Sequence, residues 1–510
     1  MQDKRIRKIV IVGGGTAGWM TASALVRHLG SEKCSIRLVE SDMIMTVGVG
    51  EATIPAIREF NHRLGLDEPE FMRQTNASIK SGIQFENWGQ LGDSYIHAFG
   101  YFGQPINDVA FQHFWLKLRE RGETTSFNDY CMPHVASELG RFQFPDNNPA
   151  SALGRYFYAF HFDATLYAQY LRGWAEERGV QRTEGKVVDF TLRGEDGFIE
   201  SITLESGEVV EGELFVDCSG FRGLLIEQAL KTGYQDWSHY LPCNSAFAIS
   251  TAYEDEDTPI PPFTRARALQ AGWQWRIPLQ NRTGDGHVFC DEYISHDEAT
   301  ATLLDNIEGE ALTEPRLLRF TTGMRKKVWN KNCVSIGLSS GFLEPLESTS
   351  IYLIQTTILK FIRSFPDRHF EQVHIDEFNR QMANKFEEAR DFLILHYHAT
   401  KRDDTPFWDY CRNMEIPAEL KRRIDFFRNS GAVSFKRSEL FIEHNWLAVL
   451  IGQGIIPHRY DPRVEGMNIE EIGKILLQMR THIRQQAEMM PVHAKTLADY
   501  CKGELLTRHR

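Results

Sequence analysis

The sequence of 510 residues lacks the features of several protein classes. No apolar run approaches the ~20 residues that a membrane-spanning helix needs. The N-terminal stretch MQDKRIRKIVIVGGG has no signal-peptide core, because its short apolar run continues directly into glycines. The eight cysteines are scattered and none forms a Cys-x-x-Cys pair, so neither a zinc site nor a disulfide framework is expected. We therefore predict a reduced, cytoplasmic protein without a bound metal and without membrane attachment.

A surplus of positive charge is also missing. The formal net charge is −12, which argues against a nucleic-acid partner and is interpreted as a solvated acidic surface. The chain contains neither internal repeats nor low-complexity segments. What it does contain is 42% hydrophobic and 25% charged residues, the balance of an ordinary globular protein. The length is too great for one simple core and predicts two or three packed units.

The N-terminal region has the pattern of a strand, a glycine turn, a helix and a second strand. Residues 6–12 (IRKIVIV) predict a short buried strand, and residues 13–18 (GGGTAG) predict the turn. A helix follows through about His28, and residues 36–40 (IRLVE) predict the next strand. This order is typical of a βαβ unit in a parallel sheet.

The spacing of the glycines in this turn indicates a dinucleotide site. Gly13 permits the tight turn, and Gly15 lets the backbone approach a pyrophosphate that faces the helix N-terminus. Gly18 lets the helix pack closely against the strand. Glu40 ends the second strand, where an acidic side chain can accept hydrogen bonds from an adenosine ribose. A glycine turn without a ligand is the alternative interpretation.

Two later stretches favour FAD over NAD. Residues 186–220 alternate apolar and polar side chains around turn signals, which predicts an antiparallel ribbon. The ribbon ends in a buried strand and the sequence DCSG, as in two-part FAD folds. Residues 333–345 (CVSIGLSSGFLEP) predict a buried strand that enters a glycine-containing loop. In FAD folds such a return brings N–H groups and a helix N-terminus to the flavin ring.

The remaining patterns complete the predicted fold. Residues 245–252 and 273–294 predict strands, and the end of the chain is mostly helical. Helical periodicity runs through residues 351–365, 375–398 and 467–490. The predicted class is therefore α/β: a two-part FAD-binding fold, with a Rossmann-like βαβ unit plus antiparallel sheets, and a helical C-terminal part. We expect residues 1–360 to form the FAD-binding unit, with an interleaved substrate-side sheet at about 245–320, and residues 361–510 to form a helical substrate-side part.

The stretch AGWQWRIPL (271–279) contains two tryptophans two positions apart. The two-residue period of a strand places Trp273, Trp275 and Ile277 on one face and Arg276 in the outward direction. Large aromatic side chains are common in strands, so the pattern alone does not separate core packing from a site.

Five stretches, taken together and in this order, resemble the flavin-dependent halogenases and most of all the tryptophan halogenases. They are GGGTAGW (13–19), VGEATIP (49–55), ASIKSGI (77–83), GWQWRIP (272–278) and GFLEPLEST (341–349). The resemblance covers nearly the whole chain and weakens after about residue 430. It implies that FADH2 from a separate flavin reductase, O2 and chloride or bromide yield hypohalous acid, which halogenates a small aromatic substrate.

The resemblance assigns the chemistry to a lysine and a carboxylate. Lys80 would receive the hypohalous acid, either by hydrogen-bonding it as an ammonium or, as an amine left neutral by burial, by forming a haloamine. Considered by itself, Lys80 reads as a surface lysine on a helix. Glu347 would accept the proton of the ring carbon as a general base. Ser348, which follows it, would relay a proton or position the reacting groups. Glu344 is better explained as an acid at a helix N-terminus.

The resemblance also implies a halide site and a set of flavin contacts. The N–H groups of Thr349 and Ser350 would bind the halide as an anion nest. Many relatives have glycine where this chain has Ser350, which leaves the halide preference open. The implied flavin-binding residues lie in the glycine turn, the second strand and the later returns: Gly13, Gly15, Thr16, Ala17, Gly18, Glu40, Ala52, Val187, Leu338 and Ile351.

On the substrate side, His97 and Phe99 match positions whose rings flank the indole in tryptophan halogenases, although ordinary loop packing explains them equally well. Phe441, Asn445 and Trp446 would border the pocket. Tryptophan halogenases hold the amino-acid part of the substrate with a tyrosine-rich segment, but residues 434–454 here contain no tyrosine. We therefore predict a more open site that takes indole or another electron-rich aromatic compound, not restricted to free tryptophan.

In these halogenases the strand of Trp273 and Trp275 lies between flavin and substrate. Two indoles there can keep an organic substrate away from the flavin and so suppress hydroxylation; plain core packing is the alternative. His396 and His398 do not indicate a metal, because residues two apart do not share a helix face.

Two other functions remain open from the sequence. An aromatic hydroxylase would use the same reduced flavin and O2 without Lys80, and a flavin-binding module would have no catalysis. A homodimer is possible.

Overall fold

The computed structural model describes residues 4–43, 50–146, 148, 151–255 and 257–501. Val49, the first residue of the VGEATIP stretch, lies outside the described residues. The chain falls into two compact units, and each is assembled from three separate segments of sequence. The predicted division near residue 360 stays a prediction.

The described strands are numbered in chain order. They are β1 (Lys8–Val12), β2 (Ser35–Glu40), β3 (Gly50–Ala52), β4 (Ser78–Lys80), β5 (Gly82–Glu86), β6 (Ser94–Ala98), β7 (Ala159–Asp163), β8 (Gln181–Glu184), β9 (Val187–Leu192), β10 (Ile199–Leu204), β11 (Val209–Glu211), β12 (Leu214–Asp217), β13 (Tyr234–Asp236), β14 (Ser245–Thr251), β15 (Thr264–Leu269), β16 (Gly272–Pro278), β17 (Thr283–Phe289), β18 (Arg316–Arg319), β19 (Gly323–Arg325), β20 (Trp329–Asn330), β21 (Cys333–Ser335) and β22 (Gly341–Phe342).

The described α-helices are numbered in the same way. They are α1 (Thr16–Leu29), α2 (Ala56–Leu64), α3 (Glu68–Gln74), α4 (Phe111–Glu120), α5 (Met132–Glu138), α6 (Ala164–Glu176), α7 (His296–Asp305), α8 (Ser350–Arg363), α9 (Gln372–His398), α10 (Pro406–Asn413), α11 (Ala418–Ser430), α12 (Glu443–Gly452), α13 (Ile469–Met489) and α14 (His493–Tyr500). No helix in the part of the chain that the structure describes is long and apolar enough to cross a membrane.

Unit 1 comprises residues 1–77, 162–242 and 319–387. Its main sheet has the strand order β20–β21–β12–β1–β2–β8, and β21, β12, β1, β2 and β8 run parallel. Parallel strands are covered on both faces, which explains why β1 and β12 are almost continuously apolar. β1, α1 and β2 form the predicted βαβ unit.

The antiparallel part of unit 1 packs against this sheet. β9, β10 and β11 form a three-stranded antiparallel sheet, and β13, β19 and β22 form another. Ile199 and Ile202 of β10 share a buried cluster with Val10, Val39 and Phe215 of the parallel sheet. The predicted combination of a Rossmann-like βαβ unit with antiparallel sheets is confirmed.

Unit 2 comprises residues 78–161, 243–318 and 388–510. Its sheet has the strand order β18–β14–β17–β16–β15–β5–β6. The neighbouring pairs β14–β17, β17–β16, β16–β15 and β5–β6 are antiparallel, and the pair β15–β5 is parallel. A separate antiparallel ladder joins β4 to β7. The segment after residue 388 is mainly helical, as the periodicity predicts.

The structure corrects the expected orientation of Arg276. β16 lies between two other strands and every one of its residues is buried, so the strand has no solvent face. Arg276 is buried and pairs with Glu308, with 3.2 Å between Nη2 and Oε2. Alternation predicts an outward side chain only where one face of a sheet is solvated, and here both faces are covered.

Candidate active site

The glycine turn between β1 and α1 is too tight for side chains. Gly13 has φ of +112°, and a Cβ added there would lie 2.3 Å from the carbonyl oxygen of Cys218. A Cβ added at Gly18 would lie 1.8 Å from the carbonyl oxygen of Gly13. The Gly13 N–H donates to the carbonyl of Val39 at 2.8 Å, which fixes the turn between neighbouring strands. The N-terminus of α1 is therefore presented by bare backbone, as a pyrophosphate requires.

Glu40 lies directly beside this turn. A Cβ added at Gly14 would lie 1.4 Å from Glu40 Oε2, so the carboxylate reaches over the glycines. Arg182 Nε donates to Glu40 Oε1 at 2.5 Å, and Trp19 Nε1 donates to Oε2 at 3.4 Å. A carboxylate has further lone pairs that can accept ribose hydroxyls, and these donors hold it in position. The sequence pattern identified Glu40 but not Arg182, which comes from β8.

The late return predicted from residues 333–345 reaches the same helix. Gly337 has φ of +78°, and a Cβ added there would lie 2.8 Å from Ala17 Cβ. Leu338, which follows, is therefore brought close to the start of α1. The N–H of Gly185 donates to the Glu40 carbonyl at 2.8 Å, which places the approach to β9 beside Glu40.

The other predicted flavin residues all lie in unit 1. Thr16 begins α1, and its hydroxyl donates to the Ala164 carbonyl at 3.4 Å. Ala52 ends β3, Val187 begins β9, and Ile351 is buried in the first turn of α8. The bare glycine turn, the held carboxylate and the return against Ala17 together fit an adenine dinucleotide such as FAD.

The segment from Glu344 to Ser350 forms a turn that ends in a helix. Residues 345–347 make one turn of 3₁₀ helix, and Ser348 then adopts a left-handed conformation with φ of 57°. Thr349 is the residue before α8, and its carbonyl accepts from the Leu353 N–H at 2.9 Å. A left-handed serine is strained, and such strain is concentrated at functional sites. The strained residue is Ser348, which the resemblance places in the active site.

The start of α8 has the features of an anion site. The first N–H groups of an α-helix have no acceptor within the helix and carry the positive end of its dipole. Thr349 is fully buried, and its hydroxyl has no hydrogen-bond partner among the residues that the structure describes. Glu347 is also fully buried, in the 3₁₀ turn that precedes Ser348. Glu344 is the residue before that turn and makes no side-chain capping hydrogen bond to it, so its interpretation as an acid at a helix N-terminus stays a prediction.

Another carboxylate of unit 1 is held close to its neutral form. Glu51 lies in β3, within the VGEATIP stretch. Desolvation raises the pKa of Glu51 to about 7. The sequence comparison did not single out this residue, because burial of one carboxylate cannot be recognised from a short polar-apolar pattern.

In unit 2, Lys80 is a fully buried residue at the end of β4. The interpretation of Lys80 as a surface lysine on a helix is therefore wrong. Its Nζ lies 5.4 Å from the centre of the Phe99 ring, a distance at which an ammonium interacts with the face of an aromatic ring. The Phe99 N–H donates to the Ser81 carbonyl at 2.8 Å, which links the end of β6 to the residue after Lys80.

The other predicted substrate-side residues form a cluster in the same unit. Asn445 donates from Nδ2 to His97 Nε2 at 3.0 Å, and its Oδ1 accepts from the Ile442 N–H at 2.9 Å. These two contacts fix the amide and require the His97 proton on Nδ1 when the ring is neutral. His97 is buried, as is Phe441, and their ring centres lie 6.4 Å apart.

The sequence analysis did not include one member of this cluster, Phe392. Phe392 of α9 stacks on Phe441 with ring centres 3.8 Å apart and meets Trp446 edge-on at 5.1 Å. The Trp446 indole N–H donates to the Phe441 carbonyl at 3.2 Å. Phe392 follows the apolar period of its helix like any core residue, so no sequence signal separates it from ordinary packing.

The two tryptophans of β16 have different surroundings. Trp273 is buried and packs on Trp88, with ring centres 6.4 Å apart, in an aromatic cluster of unit 2. Trp275 lies over its cross-strand partner Gly286, where an added Cβ would be 2.0 Å from the indole. The Trp275 Nε1 is buried without a hydrogen-bond acceptor among the described residues. Trp273 is therefore a core residue, and Trp275 is the better candidate for a role beyond packing.

The described residues contain no group of three or more His, Cys, Asp or Glu side chains that could hold a metal ion. His396 bonds through Nδ1 to the Phe392 carbonyl at 2.8 Å within its own helix.

Comparisons with known proteins agree with the geometry of both units. The profile of the family "Tryptophan halogenase" matches residues 8–468. The chain is 38% identical over 447 residues to tryptophan 6-halogenase ThaL of Streptomyces albogriseolus, which covers 84% of this chain and 82% of that protein. The structure of BrvH, a flavin-dependent halogenase from Brevundimonas sp. BAL3, matches with a TM-score of 0.94 and 46% identity, over 98% of this chain and 100% of that chain.

Xcc4156, a flavin-dependent halogenase from Xanthomonas campestris, matches with the same TM-score of 0.94 and 46% identity, again over 98% of this chain and 100% of that chain. The range matched by the family profile, residues 8–468, contains parts of both units. The chain therefore belongs to the flavin-dependent tryptophan halogenase family and is an enzyme of that family.

Proposed function

We propose that this enzyme makes hypohalous acid from a halide and uses it, through Lys80, to halogenate indole or another electron-rich aromatic compound. A separate flavin reductase supplies the reduced FAD, and the reaction takes place in the cytoplasm. The substrate is not restricted to free tryptophan. We also expect the enzyme to form a homodimer.

The residues of unit 1 provide the cofactor and halide sites in this proposal. When bound, FADH2 would supply two electrons and two protons, with which O2, a halide and one further proton give hypohalous acid and water and leave oxidised FAD. The bare turn at Gly13 and Gly18 holds the pyrophosphate, and Glu40 holds the ribose. The N–H groups of Thr349 and Ser350 at the start of α8 hold the halide, because chloride and bromide are anions that a helix N-terminus attracts.

The halogenation step is assigned to Lys80. Hypohalous acid and the arene give the haloarene and water: the ring supplies the electron pair of the new carbon–halogen bond, and the oxygen–halogen bond breaks. A hydrogen bond from the Lys80 ammonium to the oxygen makes the halogen more electrophilic, whereas a haloamine would carry the halogen on nitrogen. Glu347 accepts the ring proton as the general base. The observation that carries this proposal is the complete burial of Lys80 beside the ring of Phe99, since burying a cation is costly and Phe99 is a predicted substrate-side residue.

The surroundings of Phe99 support a substrate larger than tryptophan. The Phe157 N–H donates to the Phe99 carbonyl at 2.7 Å. The Phe157 ring meets Tyr101 edge-on at 6.0 Å, and both rings are exposed, at 43% and 38%. Arg155 lies 5.7 Å from the Tyr101 ring. Exposed aromatic rings next to the predicted indole position provide area for an extended aromatic substrate.

The test is mass spectrometry of a panel of aromatic compounds incubated with the protein, FAD, a reductase, NADH and either chloride or bromide. The panel contains indole, L-tryptophan and larger indole derivatives. We expect halide-dependent mass increases and a faster turnover of indole than of L-tryptophan. A strong preference for L-tryptophan would contradict the proposed substrate range. Hydroxylated products without halide dependence would indicate a hydroxylase, and no productive use of reduced flavin would indicate a binding module.

A further inference from the structure

The strand that carries Lys80 lies at the edge of its ladder with β7. One side of β4 is paired, through Ile79 with Phe160 and Lys80 with Ala159. On its other side, the Ile79 N–H donates to His493 Nε2 at 3.3 Å. An imidazole therefore takes the place of a neighbouring strand at the residue directly before Lys80. A buried N–H group needs such an acceptor, since leaving it unpaired is costly.

His493 is the first residue of α14, and the helix is fastened at that point. Its Nδ1 is 2.8 Å from the Ile260 carbonyl, and its own N–H donates to the Gly140 carbonyl at 2.9 Å. Thr496, one turn later, donates its hydroxyl to the Phe142 carbonyl at 2.8 Å. Because Nε2 accepts from Ile79 and Nδ1 donates to Ile260, both ring nitrogens are used only when the imidazole is neutral.

A second histidine holds the paired side of the strand. His161, opposite Ser78 in the ladder, lies 3.0 Å from the Ser78 hydroxyl through Nδ1 and 2.9 Å from the Thr264 hydroxyl through Nε2. The Ser78 hydroxyl donates to the Pro278 carbonyl at the end of β16. Ser78 therefore accepts from His161 Nδ1–H, and Nε2 accepts from Thr264. This imidazole is also neutral, with the same tautomer as His493.

Neutral rings suit the neighbourhood of a buried lysine. In addition to burial, the charges of Lys80 and His493 act on His161 and lower its pKa. Burial, and then the charge of Lys80, hold the pKa of His161 well below its usual value, and burial lowers the pKa of His493 to about 4. A carboxylate in either place would form an ion pair with Lys80, whereas a protonated ring would repel it. Neutral imidazoles bind the strand without placing a second positive charge beside Lys80.

We propose that His493 and His161 are positioning residues for Lys80, and that the C-terminal helix α14 thereby takes part in halogenation. His493 lies beyond residue 468, where the match to the family profile ends. The two rings fix β4 from opposite sides, so that the Lys80 nitrogen keeps its place relative to Phe99. The inference rests on the proposed function of Lys80 and adds residues that do not touch the reacting atoms.

The experiment separates formation of hypohalous acid from its use. The variant His493→Phe keeps the ring volume but removes the acceptor for Ile79, and His493→Gln keeps an acceptor. Flavin oxidation and hypohalous acid, trapped with monochlorodimedone in the absence of arene, are measured beside haloindole formation. We expect His493→Phe to form trapped acid at nearly the wild-type rate but to lower haloindole per flavin oxidised by about 10- to 100-fold, because small misplacements of a reacting group have effects of this size. His493→Gln recovers most of the lost yield.

The matched control is His287→Phe. His287 is also fully buried in unit 2, bonds to one backbone carbonyl (Ala299, 3.0 Å), and has its pKa lowered to about 4 by burial. It should lose thermal stability and keep the wild-type yield of haloindole per flavin. The inference is overturned if His493→Phe keeps that yield, or loses no more of it than His287→Phe.

A second variant covers the case in which His493→Phe does not fold. Thr264→Val removes the donor to His161 Nε2 with little change of volume, and we expect the yield of haloindole per flavin to fall by a smaller factor of about 3 to 10. An unchanged yield would contradict the role of His161. If wild-type protein makes no haloarene at all, the proposed function fails; if Lys80→Ala stops halogenation but these variants do not, only the positioning inference fails.

Discussion

In unit 1 the candidate site is made largely of backbone: a glycine turn, a left-handed serine and the start of α8. In unit 2 it is made of buried side chains, with Lys80 and His97 supplied by β4 and β6, which are close in sequence, and Asn445 by the distant helix α12. The first kind of site tolerates no added atoms at its glycines, whereas the second depends on which functional groups are present and how they are held. Changes at the glycine turn of unit 1 should therefore damage binding of the cofactor, whereas changes at Lys80 of unit 2 should damage the proposed use of hypohalous acid.

The largest effect that would test this comparison comes from Lys80→Ala. We expect halogenation of indole to fall by about 10³-fold or more, since the variant removes the group proposed to deliver the halogen. The FAD dissociation constant should stay within about twofold of wild type, because Lys80 lies in unit 2. Product formation is measured by mass spectrometry and FAD binding by fluorescence titration.

A matched control for Lys80→Ala is Lys117→Met. Lys117 is another buried lysine of unit 2, and its Nζ donates to the Val464 carbonyl at 2.6 Å. Loss of that contact should lower stability but leave the yield of haloindole per flavin oxidised unchanged. Halogenation by Lys80→Ala at more than a tenth of the wild-type rate would refute the assignment.

The next largest effect is expected from Gly18→Ala in unit 1. The added Cβ would stand 1.8 Å from the Gly13 carbonyl oxygen, so the turn must open before the helix can approach β1. We expect FAD affinity to fall by about 100-fold, through loss of the N–H geometry at the pyrophosphate. Isothermal titration with FAD measures the change.

Gly173→Ala controls for the added methyl group. Gly173 lies in α6 of the same unit, and a Cβ there meets no atom within 4 Å. It should bind FAD like wild type and gain up to about 1 kcal/mol of stability from the better helix propensity of alanine. Wild-type affinity in Gly18→Ala would show that the turn does not hold the cofactor.

The same comparison explains what the sequence could predict. The turn around Gly13 and the acid at Glu40 were found because a βα turn is a local arrangement whose geometry requires glycine at fixed spacing. Lys80 was found only through resemblance, because its burial depends on β7 and on α14, which is more than 400 residues away in the chain. His161, His493 and Phe392 were missed for this reason, as hydrogen bonds and stacking between distant segments leave no periodic pattern.

Arg276 illustrates the complementary error. Strand alternation predicted an outward arginine, yet its neighbours β15 and β17 and the layers on both faces bury it. Local sequence patterns therefore locate strands, but they do not show whether one face or both faces of the sheet are buried.

A smaller effect would sharpen the comparison within unit 2 itself. Trp273→Phe removes core volume next to Trp88 and should lower stability by about 1–3 kcal/mol, while product identity stays the same. Trp275→Phe should also leave FAD binding intact, but we expect it to produce a small fraction of hydroxylated indole beside haloindole, because the resemblance implies that this side chain keeps the substrate away from the flavin and phenylalanine is smaller. Liquid chromatography with mass detection measures both products. If the two variants form the same products in the same proportion, both tryptophans serve only to pack the core.

The effect expected to leave the chemistry unchanged concerns Glu51, an ionisable side chain of unit 1, whose site is made largely of backbone. Its pKa is raised from 4.5 to about 7, so the folded state favours the neutral carboxyl more strongly than the unfolded state does. The stability gained from this preference is complete below pH ~4.5 and is lost as the pH rises through ~7. Glu51→Gln cannot ionise, so its stability relative to wild type should increase by up to ~3 kcal/mol between pH 5 and 8. Thermal midpoints at closely spaced pH values measure the difference.

The control is Glu59→Gln, which changes an exposed carboxylate of α2 that is paired with Arg63. Its thermal midpoint should follow that of wild type over the same pH range. If Glu51→Gln also runs parallel to wild type, the Glu51 carboxyl is ionised throughout this range and its protonation does not influence the fold.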